Sequence, residues 1–429
     1  MKNTLKFVDK DYDVTSDIQN LIDSLNVNET LKFNKGVYNI RNIFLKSNIN
    51  IIFEEGCILN EIVEGENFKI IDTRVAGINM KFYAGLVNLI DVKNVSIKGK
   101  AIICGNGEYW WEKYWGKDQK GGMRYEYDKE NIRFLCDYDC LRVRNLLIQN
   151  SSNIKISDIT SKDSGFWNIH ILYSHDVVLD NVVIDSKALW APSTDGIDID
   201  SSYNVVVKNS TTYTNDDSIC IKSGRDKDGL DTAIPSHDIL IENCTINQGF
   251  GITLGSELSG GIYNVKINNI KFRNTDCGFR IKSSEKRKGY IKNIEVSNLY
   301  LVNVMYPIHI ALNWNPNYSN TTLPKSFNRE MKEHYYKLIS DVGNLKNTQI
   351  ENITISNLNS IIDNNMKVSR AFEINGFSDS HIKDFTISNS NFTSFEFGRI
   401  SNVDNLKFLN TTVSILKEND NKNDEYDNR

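Results

Sequence analysis

Apolar and polar positions follow one recurring phrase along this chain: Asn or Asp, an apolar residue, any residue, an apolar residue, any residue, Asn or Asp. Copies begin at Asn153, Asp176, Asn204, Asp238, Asn264, Asn293, Asn352, Asp384 and Asn405, with a weaker one from Asn94 to Gly99. The apolar residues of each copy, such as Val205 and Val207 or Ile239 and Ile241, are two apart and point to the same side of a strand. Successive starts lie 21 to 34 residues apart, except for one step of 59 from Asn293 to Asn352, which leaves room for a coil with a blurred phrase. One short strand and one Asn per unit of this length predict an all-β solenoid, a coil of parallel strands with the apolar pairs filling its bore.

The residue closing each phrase falls where the strand must turn: Asp158 in the first copy, then Asn181, Asn209, Asn243, Asn269, Asn298, Asn357, Asn389 and Asn410. Asn tolerates left-handed backbone and bonds locally, and stacked copies can bond from coil to coil as amide ladders do. A second strand in each coil shows the same inward pairing: Ile169 and Ile171, Ile197 and Ile199, Ile219 and Ile221, Ile252 and Leu254, Phe279 and Ile281. Its outward positions align in columns, His170, Asp198, Cys220, Thr253 and Arg280 in one, Asp200, Lys222, Gly255 and Lys282 in the next. Two residues before each first apolar position stand Trp167, Asp195, Asp217, Phe250 and Cys277, so Asp195 and Asp217 are column neighbours.

The ends read as caps. Ser16 and Gln19 fit a capping box ahead of an apolar face formed by Ile18, Leu21, Ile22 and Leu25, which predicts a short helix closing the bore within a cap of residues 1–34. The β-helix domain is expected over 35–415, with aromatic-rich loop insertions at about 109–133 and 313–347 and a candidate helix around 329–339. A polar, acidic tail over 416–429 should be disordered.

Composition narrows the partners. The chain has 429 residues, a net charge of -5 and no basic run, which argues against nucleic acid or an anionic membrane. Its seven Cys form neither a disulfide framework nor a CxxC pattern and read as buried thiols, suiting a reducing compartment. The start MKNTLKFVDKDYDV carries no apolar leader, so a cytoplasmic location is expected, or a secreted one if the natural chain starts earlier. No metal or organic cofactor is expected, since the His residues are dispersed and no glycine-rich phosphate loop follows a strand. Oligomeric state is not legible.

The acidic column holds the candidate chemistry. Strands in a sheet lie about 4.8 Å apart, so Asp195 and Asp217 on successive coils can hold one water, while Asp216 points elsewhere. Close like charges push proton affinities apart, so one member can stay protonated near neutral pH. This suits an inverting glycosidase, which needs one acid for the leaving oxygen and a base across a gap that admits water. Arg280 and Lys282, two apart on one strand face, suit a carboxylate, or else an internal ion pair with Asp198 or Asp200.

In order along the chain, Ser193-Thr-Asp-Gly-Ile-Asp198, Asn215-Asp-Asp217, Gly249-Phe-Gly251 and Arg280-Ile-Lys282 resemble the four motifs of the polygalacturonase family, glycoside hydrolase family 28. Weaker agreement extends the likeness over about residues 35–310. The resemblance implies a single-stranded right-handed parallel β-helix of the pectin-lyase-like type. It implies Asp216 as general acid, Asp195 and Asp217 as holders of the attacking water, and Arg280 and Lys282 as binders of a substrate carboxylate. His170, Asp198, Lys222 and Glu257 join them as candidate substrate contacts.

Two positions depart from the motifs: Phe250 stands where the family has His, and Ser193 where it has Asn. Family members acting on rhamnogalacturonan similarly lack the His, and Phe250 would then pack against a deoxy sugar. The expected activity is hydrolysis of acidic pectic oligosaccharides, exo-acting because a cytoplasmic enzyme meets only imported fragments. The alternatives are a polysaccharide lyase on the same coil, or a carbohydrate-binding solenoid without turnover.

Overall fold

The computed structural model describes residues 3–5, 12–363 and 366–416; of the tail expected over 416–429, Leu416 donates its N–H to Ser394 O at 2.8 Å and the rest lies outside the described residues. The chain winds into a right-handed β-helix. One face is an 11-stranded parallel sheet running from Ile43–Phe44 through Leu146–Gln149, Ile169–Leu172, Ile197–Asp200, Ile219–Lys222, Ile252–Leu254 and Cys277–Lys282 to Glu396–Ser401. The phrase strands, such as Tyr203–Lys208 and Ile262–Arg273, build the other walls.

Coil-to-coil register follows the apolar pairs. Val177 lies beside Val205, Val205 beside Ile239, Ile239 beside Val265 and Val265 beside Ile294. These side chains are all buried in one continuous core. The turns are made by the phrase's polar ends: both the opening and the closing Asn or Asp of each copy take positive φ, as at Asn264 (53°) and Asn269 (54°). Their amides form ladders, with Asn153 Nδ2 donating to Asn94 Oδ1 at 2.7 Å and Asn264 to Asp238 at 3.0 Å. An Asp in the ladder accepts but cannot donate onward.

The 59-residue step holds no additional coil. Strand Tyr290–Val302 pairs directly with Gln349–Ile361, and Asn352 Nδ2 donates to Asn293 Oδ1 at 2.8 Å. The whole step is one coil with the face strand Tyr306–Ala311, lengthened by the 313–347 excursion, whose helix is Glu333–Ile339, shorter than expected. The 109–133 insertion folds into helices Glu108–Trp115 and Gly122–Lys129. The two excursions clasp one another: Arg329 donates to Glu130 through Nε and Nη2 (2.9 and 2.6 Å), and Lys332 to Asp139 at 2.7 Å.

The N-terminal helix forms, but not from the capping box. It spans Thr15–Ser24, two residues earlier than an N-cap at Ser16 would start it, and Asp13 Oδ1 accepts the Thr15 N–H at 2.9 Å. Gln19 bonds both backbone groups of Phe44 instead (2.9 and 2.8 Å), sealing the first edge of the face sheet as Ile18 and Ile22 plug the bore. Strand pairing already begins inside the expected cap, with Thr30–Phe33 beside the strand Ile49–Phe53. All seven Cys are unpaired thiols, and all but the half-buried Cys104 are buried.

Asn298 accepts from Asn357 and donates to Asn268 while holding φ at 57°. Replacing it by Ala removes the amide and strains the left-handed turn, for an expected loss of about 1–2 kcal/mol. Asn298→Gly relieves the strain and should cost less. Equilibrium urea unfolding of both variants measures the difference.

Candidate active site

The central strands of the face sheet, from Ile169–Leu172 to Cys277–Lys282, are buried on both sides, unlike the phrase strands, because excursions roof their outer surface. Positions read as outward columns are therefore interior. Ile169, Ile197 and Ile219 lie in register, and Gly196 N donates to Asp217 O at 2.9 Å, so Asp195 and Asp217 stand on adjacent coils as expected. Their nearest carboxylate oxygens lie within 4.8 Å of each other. One water fits between such a pair.

Asp195, Asp216, Asp217, Lys222, Glu257 and Lys282 line one pocket. Lys282 Nζ meets Asp217 Oδ2 at 2.6 Å and Arg280 Nη1 stands 3.5 Å from Oδ1. The basic pair therefore joins Asp217, not Asp198 or Asp200. Thr253 Oγ1 donates to the same Oδ1 at 2.8 Å. Lys222 Nζ is a hub, 3.2 Å from Asp195, 3.3 Å from Asp198 and 3.4 Å from Glu257, above the Trp167 ring.

These surroundings separate the three aspartates. Burial, then the charge of Asp217, raises the Asp216 carboxyl. Burial lifts Asp195 well above the usual range against the pull of Lys222. Burial acts on Asp217 too, but Lys282 and Arg280 overcome it and keep that carboxylate ionised. A raised carboxyl at Asp216 beside a carboxylate held low at Asp217 is the kind of division that acid–base cleavage uses.

Four expected contacts lie outside the lining: His170 and Asp198 beneath the pocket, Phe250 and Arg280 beside it. His170 and Asp198 are wholly buried beneath the pocket and do not line it. His170 Nδ1 takes Arg144 Nη1 at 2.8 Å, and its Nε2 faces Asp200 Oδ2 at 3.5 Å; Arg74 binds Asp200 at 2.8 Å. Their strand positions place them in the layer under the roof, where they hold the floor. Phe250 lies beside the pocket rather than in its lining, and its ring carries the Arg280 guanidinium at 5.0 Å. Flanking Gly249 and Gly251 have φ of 100° and 75°, and a Cβ at Gly249 would sit 2.5 Å from Asp216 O.

Sequence reasoning missed most of the roof. Ala76, from the turn of the antiparallel hairpin Ile70–Val75 and Ile78–Tyr83, reaches the pocket together with Arg133, Asp137 and Tyr318. Arg225 ties these parts together: its N donates to Gly77 O (2.9 Å), Nη1 to Tyr138 Oη (2.8 Å) and Nη2 to Tyr318 O (2.6 Å). Trp314 stacks over Lys282 at 4.5 Å. The only sequence signal for this was the aromatic content of the insertions.

Residues 79–333 match the family described as Glycosyl hydrolases family 28. The chain belongs to that family. It is 29% identical to a probable polygalacturonase of Vitis vinifera over 57% of this chain and 46% of that one. It is 25% identical to the exo-poly-alpha-D-galacturonosidase of Dickeya chrysanthemi, over 91% of this chain and 71% of that one. The chain thus spans about half the length of the plant relatives it matches. Its fold superposes on a hyperthermoactive exopolygalacturonase from Thermotoga maritima with a TM-score of 0.76 at 25% identity, covering 94% of this chain and 88% of that one. Among these family 28 features, Phe250 and Ser193 remain the departures from the motifs as they are usually written.

Asp198 offers a test of the buried floor. Burial raises its carboxyl to about 7 against the pull of Lys222, and neither oxygen accepts a hydrogen bond from the described residues. A raised carboxyl stabilises the fold below its unfolded value, and that stability is lost as pH climbs through the folded one. Asp198→Asn cannot titrate. The Tm of the variant minus that of the parent should rise between about pH 4 and pH 7, measured by calorimetry.

Proposed function

We propose that this protein is an inverting glycoside hydrolase acting on galacturonate-containing pectic oligosaccharides. The observation that carries the reading is the asymmetry within one pocket: Asp216 raised by burial and by Asp217, and Asp217 held ionised by Lys282 and Arg280. Asp216 protonates the departing glycosidic oxygen. Asp217, with Asp195 beside it, holds and deprotonates the water that attacks from the opposite face of the sugar. Lys282 and Arg280 orient the carboxylate of a bound uronate while keeping Asp217 charged.

Exo-action is part of the proposal. The hairpin turn at Ala76, the Arg133–Asp137 segment and the Trp314–Tyr318 segment converge on the pocket and favour a blind end over an open groove. The exo-acting names of the Dickeya and Thermotoga relatives point the same way. Galacturonan is favoured over rhamnogalacturonan because Arg280 occupies the Phe250 ring that a deoxy sugar would need. Greater hydrolysis of rhamnogalacturonan than of galacturonan oligomers would reverse that preference.

Asp216→Asn should lower kcat by about 10²–10⁴-fold while oligogalacturonate binding, followed by calorimetry, changes little. A pure binding module has no turnover to lose, and a lyase would release an unsaturated, ultraviolet-absorbing product. Proton NMR of the first products should show the inverted anomer, released as monomers from a labelled oligomer.

Lys282→Met removes the closest charge that holds Asp217 down. The carboxyl then rises, the base is protonated at higher pH, and the acidic limb of kcat/KM moves toward neutrality. A pH–rate profile with an unmoved acidic limb counts against Asp217 as the base.

A further inference from the structure

The pocket has a second cationic pole that the reaction above leaves unused. Arg133 begins the short helical turn Arg133–Leu135, and its side chain, 15% exposed, lines the pocket. Nη1 donates to Asp137 Oδ2 at 2.9 Å, and the guanidinium stands 5.5 Å over the Tyr318 ring. Asp137 Oδ1 is already held by Arg142 Nη2 at 2.9 Å and by Ser193 Oγ at 3.2 Å. Burial pushes the Asp137 carboxyl up, but Arg133 and Arg142 overcome this and keep it charged. Two guanidinium groups thus share one carboxylate, leaving a surplus positive charge.

That surplus faces the pocket through Arg133. Arg142 is wholly buried and commits Nη1 to Pro192 O at 2.7 Å. The other pocket cations are engaged as well: Lys282 with Asp217, and Lys222 with Asp195 and Glu257. Contacts tie Arg133 to the Asp195 coil, through Asp137 and Ser193, whereas Lys282 pairs with Asp217 on the next. The Arg133 excursion feeds Leu146–Gln149, two strands before Ile197–Asp200, whereas Lys282 ends a strand two beyond Ile219–Lys222. The Asp195 and Asp217 pair lies between the two poles.

We propose that Arg133 anchors the carboxylate of the sugar on the far side of the cleaved bond from Lys282, so that the bond broken joins two uronates. An alternating rhamnose–galacturonate chain offers only one carboxylate across any such bond and leaves one pole empty. This deepens the hydrolase reading and rests on it. A guanidinium with free donors suits a carboxylate in paired geometry, which Gln cannot replace and Lys replaces in charge alone.

Calorimetric binding to the Asp216→Asn enzyme tests the assignment with three ligands: trigalacturonate, and the two trimers in which one terminal galacturonate has its carboxyl reduced to the alcohol. Arg133→Gln in that background should weaken trigalacturonate binding at least tenfold, with Arg133→Lys recovering part of the loss. One reduced trimer should bind the Arg133 protein as weakly as trigalacturonate binds the Gln variant, and the Gln variant should no longer distinguish that pair. Equal weakening of all three ligands, or of none, overturns the anchor. If the Gln variant does not fold, the reduced trimers decide on the Arg133 protein alone, and unchanged affinity for both overturns it. Failure of trigalacturonate to bind the Asp216→Asn enzyme at all overturns the substrate reading itself and the anchor with it.

Discussion

Register between successive coils is the constraint on which this molecule depends. A strand displaced by one residue turns every side chain to the opposite face. The apolar pairs forbid that, because Val205 and Val207 fit the bore only beside Val177 and Leu179, and Ile239 and Ile241 only beside Val205 and Val207 in turn. The left-handed Asn and Asp residues mark where each strand starts and stops, and their ladders tie one coil's turn to the next. With register held this firmly, Asp195 and Asp217, 22 residues apart in the chain, must meet.

Having met, they are costly to bury. Carboxylates out of water need cations and donors close by, and the site supplies them in a shared arrangement rather than as isolated pairs. Asp217 takes two cations and a threonine hydroxyl, Asp195 shares Lys222 with Asp198 and Glu257, and Asp200 takes Arg74 and His170. Unequal sharing is what splits the proton affinities. The same shortage of partners leaves Asp198 without a hydrogen bond from the described residues beneath the pocket.

Excursions convert the sheet face into a pocket. The hairpin at Ile70–Tyr83, the Arg133–Asp139 segment and the 313–347 loop come from three distant places in the chain. Arg225, Tyr138 and Asp139 bind them to one another. Arg225 has no solvent exposure and serves three parts at once, so its role is to hold the roof together. The roof brings Trp314, Tyr318 and Arg133 to the acids. It also buries the outer surface of strands that would otherwise alternate between core and solvent.

Periodic features were legible because they rest on local rules repeated many times. The two-residue spacing of apolar positions, the left-handed tolerance of Asn and the coil-length interval state the fold class, the inward faces and the adjacency of Asp195 to Asp217. The motif order points to Asp216, Arg280 and Lys282 as well. Aperiodic features were not legible. Nothing in the spacing showed that Asn293 and Asn352 sit on adjoining coils, since an insertion and a missing repeat give the same gap. Nor could it show that Gln19 serves the strand edge at Phe44 rather than its own helix start, or that His170 and Asp198 lie under a roof. Which cation takes which carboxylate depends on distances of a few ångströms between segments remote in sequence. Residue types and intervals therefore determined the coil and its acidic strip, while burial, pairing and the closure of the pocket came only from tertiary contacts, because solvent exclusion and charge sharing are properties of surroundings that no single stretch of chain contains.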